Sequence, residues 1–92
     1  MTDVPSQTPV REKVFEITIR SKEKLLYKGV GNTISSENEQ GPFDVLRSHA
    51  NFISLILNYV IIYKGLATEL SFQLEKGVMH VTGNRIQVYV GL

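Results

Sequence analysis

The sequence predicts an all-β fold, a sandwich of two antiparallel sheets, and three observations carry that reading. Apolar residues recur at every second position in Phe15–Ile19, Leu70–Leu74 and Ile86–Val90, the period of a half-buried strand. Glycine, asparagine and proline punctuate the chain at short intervals, which sets strand-sized segments apart. No long stretch holds a helical period against these breaks, and short strands with frequent turns imply a sandwich or barrel.

The elements follow in order. Residues 1–12 are polar with Pro5 and Pro9 and read as a flexible leader, leaving 13–92 as one sandwich domain. Phe15, Ile17 and Ile19 form one face of the first strand, and Ser21–Lys24 is a charged turn. Leu25–Tyr27 opens a second strand, and Gly29 and Gly31 are expected to bend or bulge it before Thr33–Ser35. Glu37–Pro42 reads as an exposed polar loop. Phe52–Tyr63 fits both periods; a short irregular or helical turn is expected over Ala50–Ser54, then a strand over Asn58–Lys64, favoured by Val60, Ile61 and Ile62. Leu70–Leu74 is a strand, Lys76-Gly77 a turn, and Val78–Thr82 a strand. Gly83-Asn84 makes a two-residue hairpin turn into Ile86–Val90.

Composition excludes several functions. The 92 residues fit one domain. A net charge of +1 gives no electrostatic case for nucleic acid or an anionic membrane. Arg11–Lys28 is rich in cations but lacks the interleaved aromatics of a nucleic-acid platform. Cysteine is absent, so disulfides, thiolate catalysis and cysteine-based metal sites are excluded. No run of about 18 apolar residues predicts a membrane span, and the first residues lack the basic and apolar regions of a signal peptide. A soluble intracellular protein is expected.

No residue pattern points to catalysis. His49 has a side chain suited to proton transfer near neutral pH, but a histidine at a chain corner more often caps backbone carbonyls. Asp44, His49 and Ser54 match no nucleophile motif in order or spacing. His49 and His80 lack a nearby acidic cluster and make a poor metal site. No phosphate-binding loop motif occurs. The expectation is a non-catalytic protein with no cofactor and no metal, acting through its surfaces.

One segment is more specific. Gly41-Pro42-Phe43-Asp44-Val45-Leu46-Arg47-Ser48-His49-Ala50 resembles the Gly-x-Phe-x-(Ile/Val)-Leu-x-x-His-Ala signature of the epsilon subunit of rotary ATP synthases, called delta in mitochondria. Leu26-Tyr27-x-Gly29, the strand over Glu69–Leu74, Gly77–Val81, Asn84 and Ile86–Val90 follow the order of that family's amino-terminal β-sandwich. The resemblance covers about residues 13–91. Arg47-Ser48 stands where the family usually has a Pro-Gly pair, and Asn51 where many members have proline. The family's carboxy-terminal helical hairpin has no counterpart before Leu92, so its inhibition of ATP hydrolysis is not expected here.

The resemblance implies a role in the central stalk. One face of the sandwich would pack on the gamma subunit, and the loop before the signature phenylalanine would meet the c-ring. Glu37, Asn38, Glu39, Gln40 and Pro42 would then lie on the c-ring side, and His49, Asn51 and Phe52 on the gamma side. The domain would clamp stalk to ring during proton- or sodium-driven ATP synthesis, peripheral to the membrane, without inserting into it or binding nucleic acid. The alternative is a free-standing β-sandwich module with an unrelated protein or small ligand.

Overall fold

The computed structural model describes residues 14–46, 51–63 and 68–91. Their regular structure is all strand: β1 Phe15–Arg20, β2 Leu25–Gly31, β3 Thr33–Asn38, β4 Gly41–Val45, β5 Phe52–Tyr63, β6 Glu69–Thr82 and β7 Arg85–Val90. The leader (1–12) and His49 lie outside the described residues.

The seven strands form one continuous ladder in the order β2-β1-β7-β6-β5-β3-β4. Every pairing is antiparallel except β1 with β7, which is parallel with Ile17 beside Ile86 and Ile19 beside Val88. The expectation of purely antiparallel sheets is corrected at that ladder. Alternate β1 side chains, Phe15, Ile17 and Ile19, are fully buried; the backbone groups of so buried a strand need partners along both edges, and β2 and the last strand supply them.

The ladder makes two layers because β5 and β6 are long and bend. Strands of 12 and 14 residues exceed the usual five or six or so, and both break register at one place, between Leu57 and Tyr59 on β5. Leu57 faces Lys76 and Tyr59 faces Gln73, so Asn58 spans two residues of β6. The extra residue shifts the inward parity of β6 from Leu70, Phe72 and Leu74 to Gly77, Met79 and Val81, as a bulge must. Asn58 takes φ 71° at that point, a left-handed conformation asparagine tolerates better than most residues.

Contacts between strands that are not ladder neighbours show the layers closing. The Tyr27 and Phe72 rings lie 5.7 Å apart and those of Phe43 and Phe52 6.4 Å apart. A Cβ on Gly31 would sit 2.6 Å from Ile62 Cγ2, so glycine there lets β2 rest on β5. Between the layers lie Ile17, Ile19, Ile34, Ile56, Ile62, Met79, Val81, Ile86 and Val88, all essentially inaccessible. Each contributes on the order of 1.5–3 kcal/mol by leaving water.

Four local expectations change. Gly29 and Gly31 stay within β2, which runs unbroken to Gly31. The Glu37–Pro42 segment is a tight hairpin with Asn38 paired to Gly41, not a loop. No helical turn occurs in the described part of Ala50–Ser54, because β5 begins at Phe52. Lys76-Gly77 lies inside β6; its break in alternation marks the bulge rather than a turn. The Gly83-Asn84 turn stands as expected, with Thr82 paired to Arg85 and Gly83 at φ 62°, the position a two-residue turn gives to glycine.

Candidate partner-binding surface

The β3–β4 hairpin owes its shape to three residues. Asn38 Oδ1 accepts from Gln40 N at 2.8 Å, the local bond by which asparagine starts turns. Gly41 closes the turn at φ 119°, which side chains resist. Pro42 follows on β4, the edge of the ladder, where a missing N–H costs no ladder bond. Glu39 and Gln40 are left exposed at the tip.

The hairpin is braced against β5. Asn38 Nδ2 donates to Ser54 Oγ at 3.3 Å, and Asn58 Nδ2 donates to Glu37 Oε2 at 2.7 Å. Buried Ser36 donates from Oγ to Tyr59 O at 2.6 Å, and Tyr59 Oη donates back to Ser36 O at 3.2 Å. Partial burial raises the Tyr59 pKa above the ordinary 10.0, with the charges of Glu37 and Asp44 and then Tyr63 adding to it. Ser35 Oγ donates to Asp44 Oδ1 at 2.6 Å. These bonds hold the hairpin as a rigid projection.

The expected c-ring residues divide by role. Glu37 and Asn38 use side-chain atoms to fix the hairpin, whereas Glu39, Gln40 and Pro42 face solvent. The expected gamma-side residues divide as well. Asn51 Oδ1 accepts from Gly83 N at 2.8 Å and ties the start of β5 to the β6–β7 turn. Phe52 is half-buried with its ring edge-on to Phe43.

Sequence reasoning missed Ile53 and Leu55. Both point out of β5 beside the hairpin and are 67% and 64% exposed. With Asn38, Glu39, Gln40 and Ser54 they line a groove of about 300 Å³. A second groove of about 320 Å³ lies between Glu39, Leu55, Leu57 and Lys76. Leu55 pairs across the sheet with Val78, and Val78 with Tyr89, itself 39% exposed. An outward apolar row thus runs from the hairpin over three strands. The signal was present in the unbroken odd-numbered series from Ile53 to Tyr63, which marks one strand face but not whether solvent or core lies against it.

The arrangement is one of exposed polar and apolar side chains on a strand framework. Among the described residues no group of three or more His, Asp or Glu could hold a metal ion. His80 lies beside Thr82, with Nε2 to Oγ1 at 3.1 Å. No helix of the described residues is long and apolar enough to cross a membrane.

Comparison with known proteins agrees with this fold. A chain of the Euglena gracilis mitochondrial ATP synthase, from its OSCP/F1/c-ring structure, has a similar fold at TM-score 0.76 and 12% identity, over 85% of this chain and 51% of that one. A chain from the central stalk and c-ring of the Tetrahymena thermophila mitochondrial ATP synthase is similar at TM-score 0.66 and 14% identity, over 83% and 62%. This protein therefore spans between half and two thirds of the chains it resembles. No curated protein matches it in sequence. The family described as the beta-sandwich domain of the ATP synthase delta/epsilon chain matches residues 14–91, from the first strand in the sequence, β1, through the last, β7, and the chain belongs to that family.

Proposed function

We infer that this chain is the stalk-coupling sandwich of a rotary ATP synthase. It holds the gamma subunit to the c-ring by protein–protein contact and carries no reaction of its own. The observation that carries the reading is the braced hairpin set beside the exposed apolar row of Ile53 and Leu55: one rigid body offers a polar tip and an apolar flank. The tip, Glu39, Gln40 and Pro42 supported by Glu37 and Asn38, suits the polar loops of the ring. The flank from Asn51 and Phe52 through Ile53 and Leu55, with His49 preceding it in sequence, suits a subunit of the stalk. Transmitting torque asks for packed structure and a broad patch, not a reactive side chain. The protein would thus work at the membrane surface through its complex.

Cross-linking tests the reading. Cysteine at Glu39 or Pro42 should join a cysteine in the ring's polar loop in the assembled complex, and cysteine at Leu55 should join gamma. An assembled complex in which these positions stay unlinked, while positions in the Gly83-Asn84 turn link to the ring, overturns the placement. Failure to copurify with any stalk or ring subunit from the same source overturns the function.

A further inference from the structure

The opposite end of the ladder carries a different surface. β2 is an edge strand, and no described strand pairs with its outer side. Glu16 N donates toward β7, to Asn84 O at 2.8 Å. Strand groups alternate sides, so Phe15, Ile17 and Ile19 bond toward β2 through their partners Gly31, Gly29 and Tyr27. Lys28 and Val30 therefore turn their N–H and C=O groups to the open edge, where Val30 O accepts a long bond, 3.4 Å, from Tyr27 Oη that an added strand would replace. Such a row is a template for another strand.

Its side chains select the visitor. Leu25, Leu26 and Val30 are 50%, 40% and 47% exposed. Arg20, Lys22, Lys24 and Lys28 surround them as exposed cations, with Glu23 the one carboxylate of the β1–β2 hairpin after Arg20. Arg85, the remaining cation on this side, already pairs with Glu16 at 3.5 Å. The far edge of the ladder is the reverse: the β3–β4 hairpin carries Glu37, Glu39 and Asp44 without a cation, and Pro42 interrupts the N–H row. A second copy fits less well, since two β2 edges would oppose cations and, on the β4 edge, Pro42 removes one outward N–H and leaves that of Asp44.

We propose that the β2 edge adds a strand from a partner protein whose segment alternates apolar–x–acidic–x–apolar. The acidic residue pairs with Lys28 and the apolar ones lie against Leu26 and Val30, because directly opposed residues share a face. This surface is distinct from the coupling surface and stands or falls without it.

The test uses the whole 92-residue chain and a fluorescent peptide with the core Val-Thr-Glu-Thr-Val, which reads the same in either strand direction. Anisotropy should show saturable binding, and amide exchange at Lys28 and Val30 should slow. A peptide with lysine for glutamate, or with its glutamate nitrogen methylated, should bind about tenfold weaker or worse, since charge and main-chain bonding are both required. Lys28→Pro should abolish binding while leaving β1 pairing whole, because the lost N–H faces the open edge; the methylated peptide asks the same question of the unaltered protein. Equal binding of the lysine peptide, unchanged exchange at β2, or dimerisation through β2 in place of peptide binding overturns the proposal.

Discussion

Asn58 Nδ2 reaches Glu37 Oε2 at 2.7 Å, so the bulge that bends β5 is bonded to the base of the projecting hairpin. One asparagine thereby serves two ends: it accepts φ 71° and it anchors the surface proposed to meet the ring. Bend and projection are mechanically one unit.

That bond separates two carboxylates that look alike in the sequence. Glu37→Lys removes the acceptor and should cost about 0.5–1.5 kcal/mol, an ordinary net hydrogen bond. Glu39→Lys at the open tip should leave the melting temperature nearly unchanged. Asn58→Ala loses the bond and adds the cost of a left-handed alanine, roughly 1–2 kcal/mol more, while Asn58→Gly loses the bond alone in the folded state. Urea unfolding of the four variants checks the order.

Two glycines predict unequal damage. A Cβ at Gly77 meets Tyr89 O at 2.7 Å, a backbone atom held in the β6–β7 ladder. At Gly31 the nearest atom is Ile62 Cγ2 at 2.6 Å, on a side chain packed in the core. Gly77→Ala and Gly31→Ala should each cost about 1–3 kcal/mol by overpacking, with Gly77→Ala the worse because a ladder carbonyl yields less than a methyl group. Thermal melts showing either variant at the wild-type temperature would contradict these close approaches.

How much of this was legible in the sequence depends on what alternation can report. It located β1, β7 and the paired halves of β6, because in each a buried face alternates with an exposed one. It also located the Gly83-Asn84 turn, whose glycine has a conformational reason to be there. It failed where a bulge shifts the phase. The double exposed step Glu75-Lys76 between Leu74 and Gly77 has the same pattern as a turn, and only the neighbouring strand distinguishes the two. It failed again at Glu37–Pro42, where polar residues meant a strand edge and hairpin tip rather than a loop. The candidate surface was half legible: the hairpin residues announced themselves by polarity, whereas Ile53 and Leu55 looked like any other core residues.

Alkali should weaken the fold through Tyr59. Its folded pKa is raised by partial burial, then by Glu37 and Asp44, so the folded state favours the protonated phenol. The contribution is complete below the unfolded value near 10.0 and is lost as pH rises through the higher folded value. Unfolding free energy should therefore fall more steeply above that pH in the wild type than in Tyr59→Phe. Tyr59→Phe should itself be less stable at neutral pH, because Ser36 O loses its donor. Equal slopes for the two proteins would remove Tyr59 from the account.

Salt should divide the coupling surface into its two parts. Glu39 is an exposed charge at the hairpin tip, so whatever it adds to association is screened beyond about 8–10 Å at moderate ionic strength. Leu55 is an exposed apolar side chain between two grooves, and its burial against a partner does not depend on counterions. In a complex reconstituted with gamma and the c-ring, Glu39→Lys should slow association at low salt and approach wild type at high salt. Leu55→Ser should weaken the complex by a similar factor at every salt concentration, chiefly by speeding dissociation, because truncating a buried apolar anchor removes contact made only after docking. Surface-exchange kinetics at two ionic strengths read both. If Leu55→Ser binds as wild type does while Glu39→Lys follows the salt, the apolar row is not part of the interface, and contact is confined to the hairpin tip.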